Sequence, residues 1–122
     1  MHDLSPLASL INLANLTLSY VWQVSDLRPL VSLIKLTSLA LSSARYVENL
    51  WPLVSLTHLT SLELSNLDQV NDLSPLAELD NLTRVELRKL PKVNDLSPLA
   101  GLTKLSSLVL RSMPTDIWIP PQ

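Results

Sequence analysis

The chain has no cysteine and no phenylalanine, one glycine (Gly101) and two histidines among its 122 residues. Without thiols there is neither a disulfide framework nor a thiolate metal site. A single glycine is too little for a loop that wraps phosphate in backbone amides. Charge is scarce as well: charged residues make up 16% of the chain and the formal net charge is −2. That leaves no clustered cationic field for nucleic acid or an anionic membrane, so neither is expected as a partner. The first residues hold no basic stretch leading into an apolar segment, and Pro6 interrupts the one candidate. Secretion and membrane insertion are therefore not expected, and a cytoplasmic location is the default.

What the chain does have is a period. Asp3-Leu4-Ser5-Pro6-Leu7 returns every 23 residues as Asp26-Leu27-Arg28-Pro29-Leu30, Asn49-Leu50-Trp51-Pro52-Leu53, Asp72-Leu73-Ser74-Pro75-Leu76 and Asp95-Leu96-Ser97-Pro98-Leu99. A fixed repeat of this length marks a solenoid, in which each unit buries its apolar face only against its neighbours. Aligned, the units give aliphatic columns headed by Leu4, Leu7, Leu10, Leu13, Leu16, Leu18, Val21 and Val24. The alternating step in Leu13-x-x-Leu16-x-Leu18 sends two leucines to one face of a short strand and the residue between them to the other. Five such strands stack as a parallel sheet. The prolines (Pro6, Pro29, Pro52, Pro75, Pro98) suit the first turn of a helical return, where an amide hydrogen has no partner in any case, and Ser5, Ser74 and Ser97 are its expected N-caps.

These residues resemble the leucine-rich repeat family, in particular the short bacterial type with D-L-S-P-L-A return segments found in internalin-like repeats. The resemblance covers residues 3 to about 113. It implies an α/β chain built as a right-handed leucine-rich-repeat solenoid, with a parallel sheet on the concave face and short helical or 3₁₀ returns. A single domain over 1–122 is expected, with units 3–25, 26–48, 49–71, 72–94 and 95–113 and an irregular C-terminal cap at 114–122, where Trp118 would cover the last leucine layer. One departure stands out. Where the family commonly has Asn, this chain has Val21, Ala44, Leu67, Leu90 and Met113, so the backbone at that bend must find partners other than an asparagine ladder.

Catalytic groups are scarce. His2 is terminal, and His58 falls in the polar column Asn12, Lys35, His58, Asn81, Lys104, which reads as outer-face solvent contact without a nucleophile or acid-base partner. Stacking brings the column Asp3, Asp26, Asn49, Asp72, Asp95 together, yet one carboxylate per unit falls short of the roughly six oxygens calcium takes. That column reads as turn or cap chemistry. No enzyme activity, cofactor or metal is expected.

The variable columns leave two candidate binding surfaces. On the strand face the columns are Asn15, Ser38, Ser61, Arg84, Ser107; Thr17, Ala40, Glu63, Glu86, Val109; and Ser19, Ser42, Ser65, Arg88, Arg111. The first two units are small and neutral there, while the last three carry Glu63, Arg84, Glu86, Arg88 and Arg111, with Lys89 beside them. Such a mixed patch suits a partner of complementary charge, or is merely internally paired. Tyr20, Trp22, Arg45 and Tyr46 form the second candidate, on the rim, because these residue types dominate binding hot spots. Trp51 replaces the usual serine before Pro52 and is expected to pack on the opposite edge. Finally, Leu4, Leu7 and Leu10 are expected to have no unit above them, beside an open strand edge at Thr17. The functional expectation is a non-enzymatic protein-protein interaction module, such as an adaptor, an immunity or inhibitor protein, or a sensing segment. The alternative is a structural scaffold, natural or designed, that forms a homo-oligomer through the open N-terminal repeat.

Overall fold

Because every unit repeats the same leucine spacing, each strand can meet the next at one constant offset. The computed structural model describes residues 3–114 and realises that offset throughout. Five strands, β1 (Asn15–Ser19), β2 (Ser38–Ser42), β3 (Ser61–Ser65), β4 (Arg84–Arg88) and β5 (Ser107–Arg111), form one parallel sheet in sequence order. Leu16 pairs with Leu39, Leu39 with Leu62, Leu62 with Val85 and Val85 with Leu108, a register of one full repeat. Each column of the sequence is thus a row across the sheet.

The returns are 3₁₀ turns, Ser5–Leu7, Arg28–Ser32, Trp51–Ser55, Ser74–Glu78 and Ser97–Leu99, each with proline in its first turn. The expected serine caps are not formed. The residue before each turn is a leucine, and its side chain makes no capping bond. Instead, Oδ1 of Asp3, Asp26, Asn49, Asp72 and Asp95 accepts the backbone N–H two residues on, from Ser5, Arg28, Trp51, Ser74 and Ser97, at 2.8 to 2.9 Å. Proline has no N–H, so the orphan donor lies just before it, within reach of an Asx side chain two positions upstream.

Other ladders run between repeats. The hydroxyls of Thr37, Thr60, Thr83 and Ser106 donate to the carbonyls of Ala14, Thr37, Thr60 and Thr83, which also accept the backbone N–H groups of the same residues. At the bend that lacks asparagine, the side chains of Val21, Ala44, Leu67 and Leu90 are buried in the core. The backbone there closes on itself, with Val24 N–H donating to Val21 O and Val47 N–H to Ala44 O. Entry to that bend needs a left-handed residue in every unit: Tyr20, Ser43, Asn66, Lys89 and Ser112 have φ between 53° and 58°. Only Asn66 is a residue type that tolerates this readily. Lys89 is exposed, so Lys89→Ile is expected to cost about 1 to 2 kcal/mol through backbone strain alone. Urea titrations of both variants check this, with Lys89→Asn expected to be neutral or stabilising.

The core is a stack of leucine layers, fully buried in the middle units. The first unit is different. Leu10 is 46% exposed where its equivalents Leu33, Leu56 and Leu79 are 0%, and Leu7, Leu13 and Leu16 are only partly covered. Leu4, expected to share that exposure, is in fact 0% exposed and belongs to the buried core cluster. Met1 and His2, and the expected cap from Thr115 through Trp118 to Gln122, lie outside the described residues. Among the described residues no helix is long and apolar enough to cross a membrane.

Candidate functional site

The register brings the strand-face columns together as rows. Glu63 lies opposite Glu86, Ser61 opposite Arg84, Ser65 opposite Arg88, and Arg88 opposite Arg111. Along β4 the side chains of Arg84, Glu86 and Arg88 share one face, since alternate residues of a strand point the same way. Glu86 is 8% exposed and stands between the two guanidinium groups, with Arg84 at 3.4 Å and Arg88 at 3.6 Å. These are long for charge-assisted bonds, and the two arginine side chains stay about half exposed. Arg111 is exposed at the margin of the group. Lys89 takes no part in this face, because its left-handed backbone turns the chain off the sheet.

The adjacency of two carboxyls in one row has an electrostatic consequence. The hydrogen-bonded Glu86 carboxyl, with burial and like-charge repulsion, holds the Glu63 carboxyl above its ordinary value of 4.5, while Arg84 and Arg88 pull weakly the other way. An acid whose pKa is raised by folding is more protonated in the folded than in the unfolded chain, so stability grows as pH falls through the raised value. Glu63→Gln keeps a hydrogen-bonding side chain without the charge. It is expected to raise Tm at pH 7, with the gain over the wild type shrinking as the pH is lowered toward 4.5 in a series of thermal melts. By contrast, Asp26 is held below its ordinary value by the Arg28 side chain and Asp72 by the Ser74 hydroxyl; both are exposed turn residues.

The rim candidate assembles only in part. Tyr20 and Trp22 meet edge to face, 6.2 Å between centroids at 84°, and both are more than half exposed. Arg45 reaches the other way, to Asp68 one repeat on, at 3.9 Å. Tyr46 is exposed and joins neither ring, among the described residues. The rings leave the rim as a loose pair, since Trp22, Arg45 and Asp68 occupy one column and the opposite charges attract. Trp51, on the return side, is 47% exposed rather than packed away.

His58 is exposed, and its Nδ1 lies 3.0 Å from the Ile34 carbonyl oxygen, one rung of a ladder that includes Lys35 Nζ to Asn12 and Lys104 Nζ to Asn81. Its column is thus inter-repeat bonding as well as solvent contact. No cluster of three or more His, Asp or Glu side chains suited to a metal occurs among the described residues.

Sequence reasoning missed an apolar patch on the return side of the first two units, where Ile11, Val31 and Ile34 are each more than 40% exposed beside Leu10. The signal lay in columns that become Ala77 and Asp80 in unit four.

Comparison with solved structures places this geometry. The chain superposes on internalin C2 from Listeria monocytogenes with a TM-score of 0.70 at 30% identity, over 90% of this chain and 57% of that one. The fold is an internalin-like leucine-rich repeat. It also matches the internalin inlF of Listeria monocytogenes, with a TM-score of 0.71 at 29% identity, over 91% of this chain and 39% of that one. The chain thus spans little more than half of the one internalin and well under half of the other. No family model and no curated protein sequence matches it. The internalin-like likeness supports protein-protein interaction as the general role.

Proposed function

We propose that this chain is a non-enzymatic recognition module, one leucine-rich-repeat domain that binds a cytoplasmic protein partner through the strand face of β3 to β5. The supporting observation is the row of Arg84, Glu86 and Arg88 on a rigid sheet. Its charges are only loosely satisfied within the chain, at 3.4 and 3.6 Å, and Glu63 and Arg111 flank it. A preformed, half-exposed charge pattern of this kind steers and selects partners more than it stabilises the fold. Adaptor, immunity or inhibitor, and sensing roles all fit such a face. Nucleic acid and membrane do not, for want of a cationic field.

The test is capture from source lysate with the wild-type chain and with Arg88→Glu as baits. Arg88→Glu should fold normally by circular dichroism, lose most of the captured partner, and slow association while reducing its salt dependence. Undiminished capture would move the site to the rim. Tyr20→Ala and Trp22→Ala would then each be expected to cost about 2 kcal/mol or more of binding.

A second reading rests on a separate observation, the exposed first layer. Leu10 and Ile11 are about half exposed, in a unit whose only charged residue from Asp3 onward is Asp3 itself. Two copies could meet through this end without like-charge repulsion, giving a self-associating scaffold.

A further inference from the structure

The strand-face reading can be carried to the chemistry of the partner. Each guanidinium on β4 has five N–H donors in a fixed fork, and a single buried carboxylate, Glu86, serves both from more than 3.3 Å. Most of their donors therefore face outward. Arg84 and Arg88 lie four residues apart on one strand face, about 13 Å, which is the spacing of acidic side chains four residues apart on a second extended segment. Arg111 continues the line one strand over, next to Arg88.

The charged groups that face this row are few. β3 offers Ser61, Glu63 and Ser65, and β5 offers Ser107, Val109 and Arg111, while Ala40 on β2 lies behind Glu63. The tally is three arginines against two carboxylates. Those two carboxylates are adjacent in one row, and the Glu63 carboxyl is held above its ordinary value by Glu86 beside it and by burial.

We propose that β3 to β5 receive an extended acidic segment of the partner, whose carboxylates replace Glu86 as acceptors for Arg84 and Arg88. This rests on the strand-face reading and makes it specific. Losing the arginines and gaining negative charge nearby both push the Glu63 carboxyl further up, so binding takes up a proton there and strengthens as pH falls. A basic segment would instead have to displace the arginines from the face.

The probe is a fluorescein-labelled decapeptide with Asp at alternate positions, compared by anisotropy with its Asn and Lys counterparts at pH 7.5, 6.5 and 5.5, where Asp stays ionised. The Asp peptide should bind and the Asn peptide should not. Its Kd should fall at least about threefold between pH 7.5 and 5.5, as proton linkage requires. Glu63→Gln should bind more tightly at pH 7.5 and show a flatter pH profile. Arg88→Gln and Arg88→Glu, folded by circular dichroism, should weaken binding about tenfold or more. Tighter binding of the Lys peptide, no binding of the Asp peptide, or the same pH profile in wild type and Glu63→Gln overturns the inference. If lysate capture still responds to Arg88→Glu, the strand-face reading survives that failure; capture indifferent to Arg88→Glu defeats the strand-face reading itself.

Discussion

Leu62→Ala is expected to lower the free energy of unfolding by about 2 to 5 kcal/mol, the range for a buried leucine truncated in a core that relaxes only in part. Leu62 is 0% exposed and stands in the middle row, between Leu39 and Val85. Nothing outside the adjacent layers can fill the space, because a solenoid unit packs only against its neighbours. The same locality gives a second signature. A cavity in the third of five units weakens both interfaces that couple the halves, so the urea transition should broaden as well as shift. A melting curve unchanged within error would contradict the assignment of this column to the core.

The second large effect concerns the first layer. If copies associate through it, a chain carrying both Thr17→Lys and Leu10→Lys is expected to run as monomer in light scattering at concentrations where the parent forms dimers. An unpaired charge in a joined apolar surface raises the dimer Kd by about tenfold or more. Thr17 is exposed on β1, which pairs only with β2 among the described residues, and Leu10 is 46% exposed. Both changes therefore act on the joined surface and should leave the folded monomer intact. A parent chain that is already monomeric at high micromolar concentration would refute self-association.

The architecture was legible because one offset governs everything. Aligning Leu16, Leu39, Leu62, Val85 and Leu108 by eye is the same operation as pairing them across the sheet. The missing asparagine ladder was legible too, since Val21, Ala44, Leu67 and Leu90 cannot donate from a side chain. What could not be read was how the backbone would respond. The Asp and Asn column does the turn chemistry read from it, but that it displaces the expected serine caps was set by three-dimensional reach, and the left-handed position admits Tyr20 and Lys89 with no glycine to announce it.

At the candidate site, composition gave the residues and stacking gave the chemistry. Glu63 and Glu86 were visible as members of one column, yet the raised Glu63 carboxyl follows from how closely the sheet sets Glu86 beside it and from its burial. The rim shows the reverse case. Tyr20, Trp22, Arg45 and Tyr46 lie close in the alignment, but the attraction of Arg45 to Asp68 separates it from the rings. Leu4 was misplaced for a similar reason: membership of the same terminal unit as Leu10 does not imply shared exposure, and Leu4 is buried where Leu10 is not.

The central claim, that the strand face of β3 to β5 is the binding surface, is tested most directly by mapping amide chemical shifts of the ¹⁵N-labelled chain as captured partner is added. The account predicts that the perturbed amides fall in Ser61–Ser65, Arg84–Arg88 and Ser107–Arg111, while the return segments around Ile34 and Trp51 stay in place. Shifts confined to the return segments or to unit one, with β4 unmoved, would contradict it.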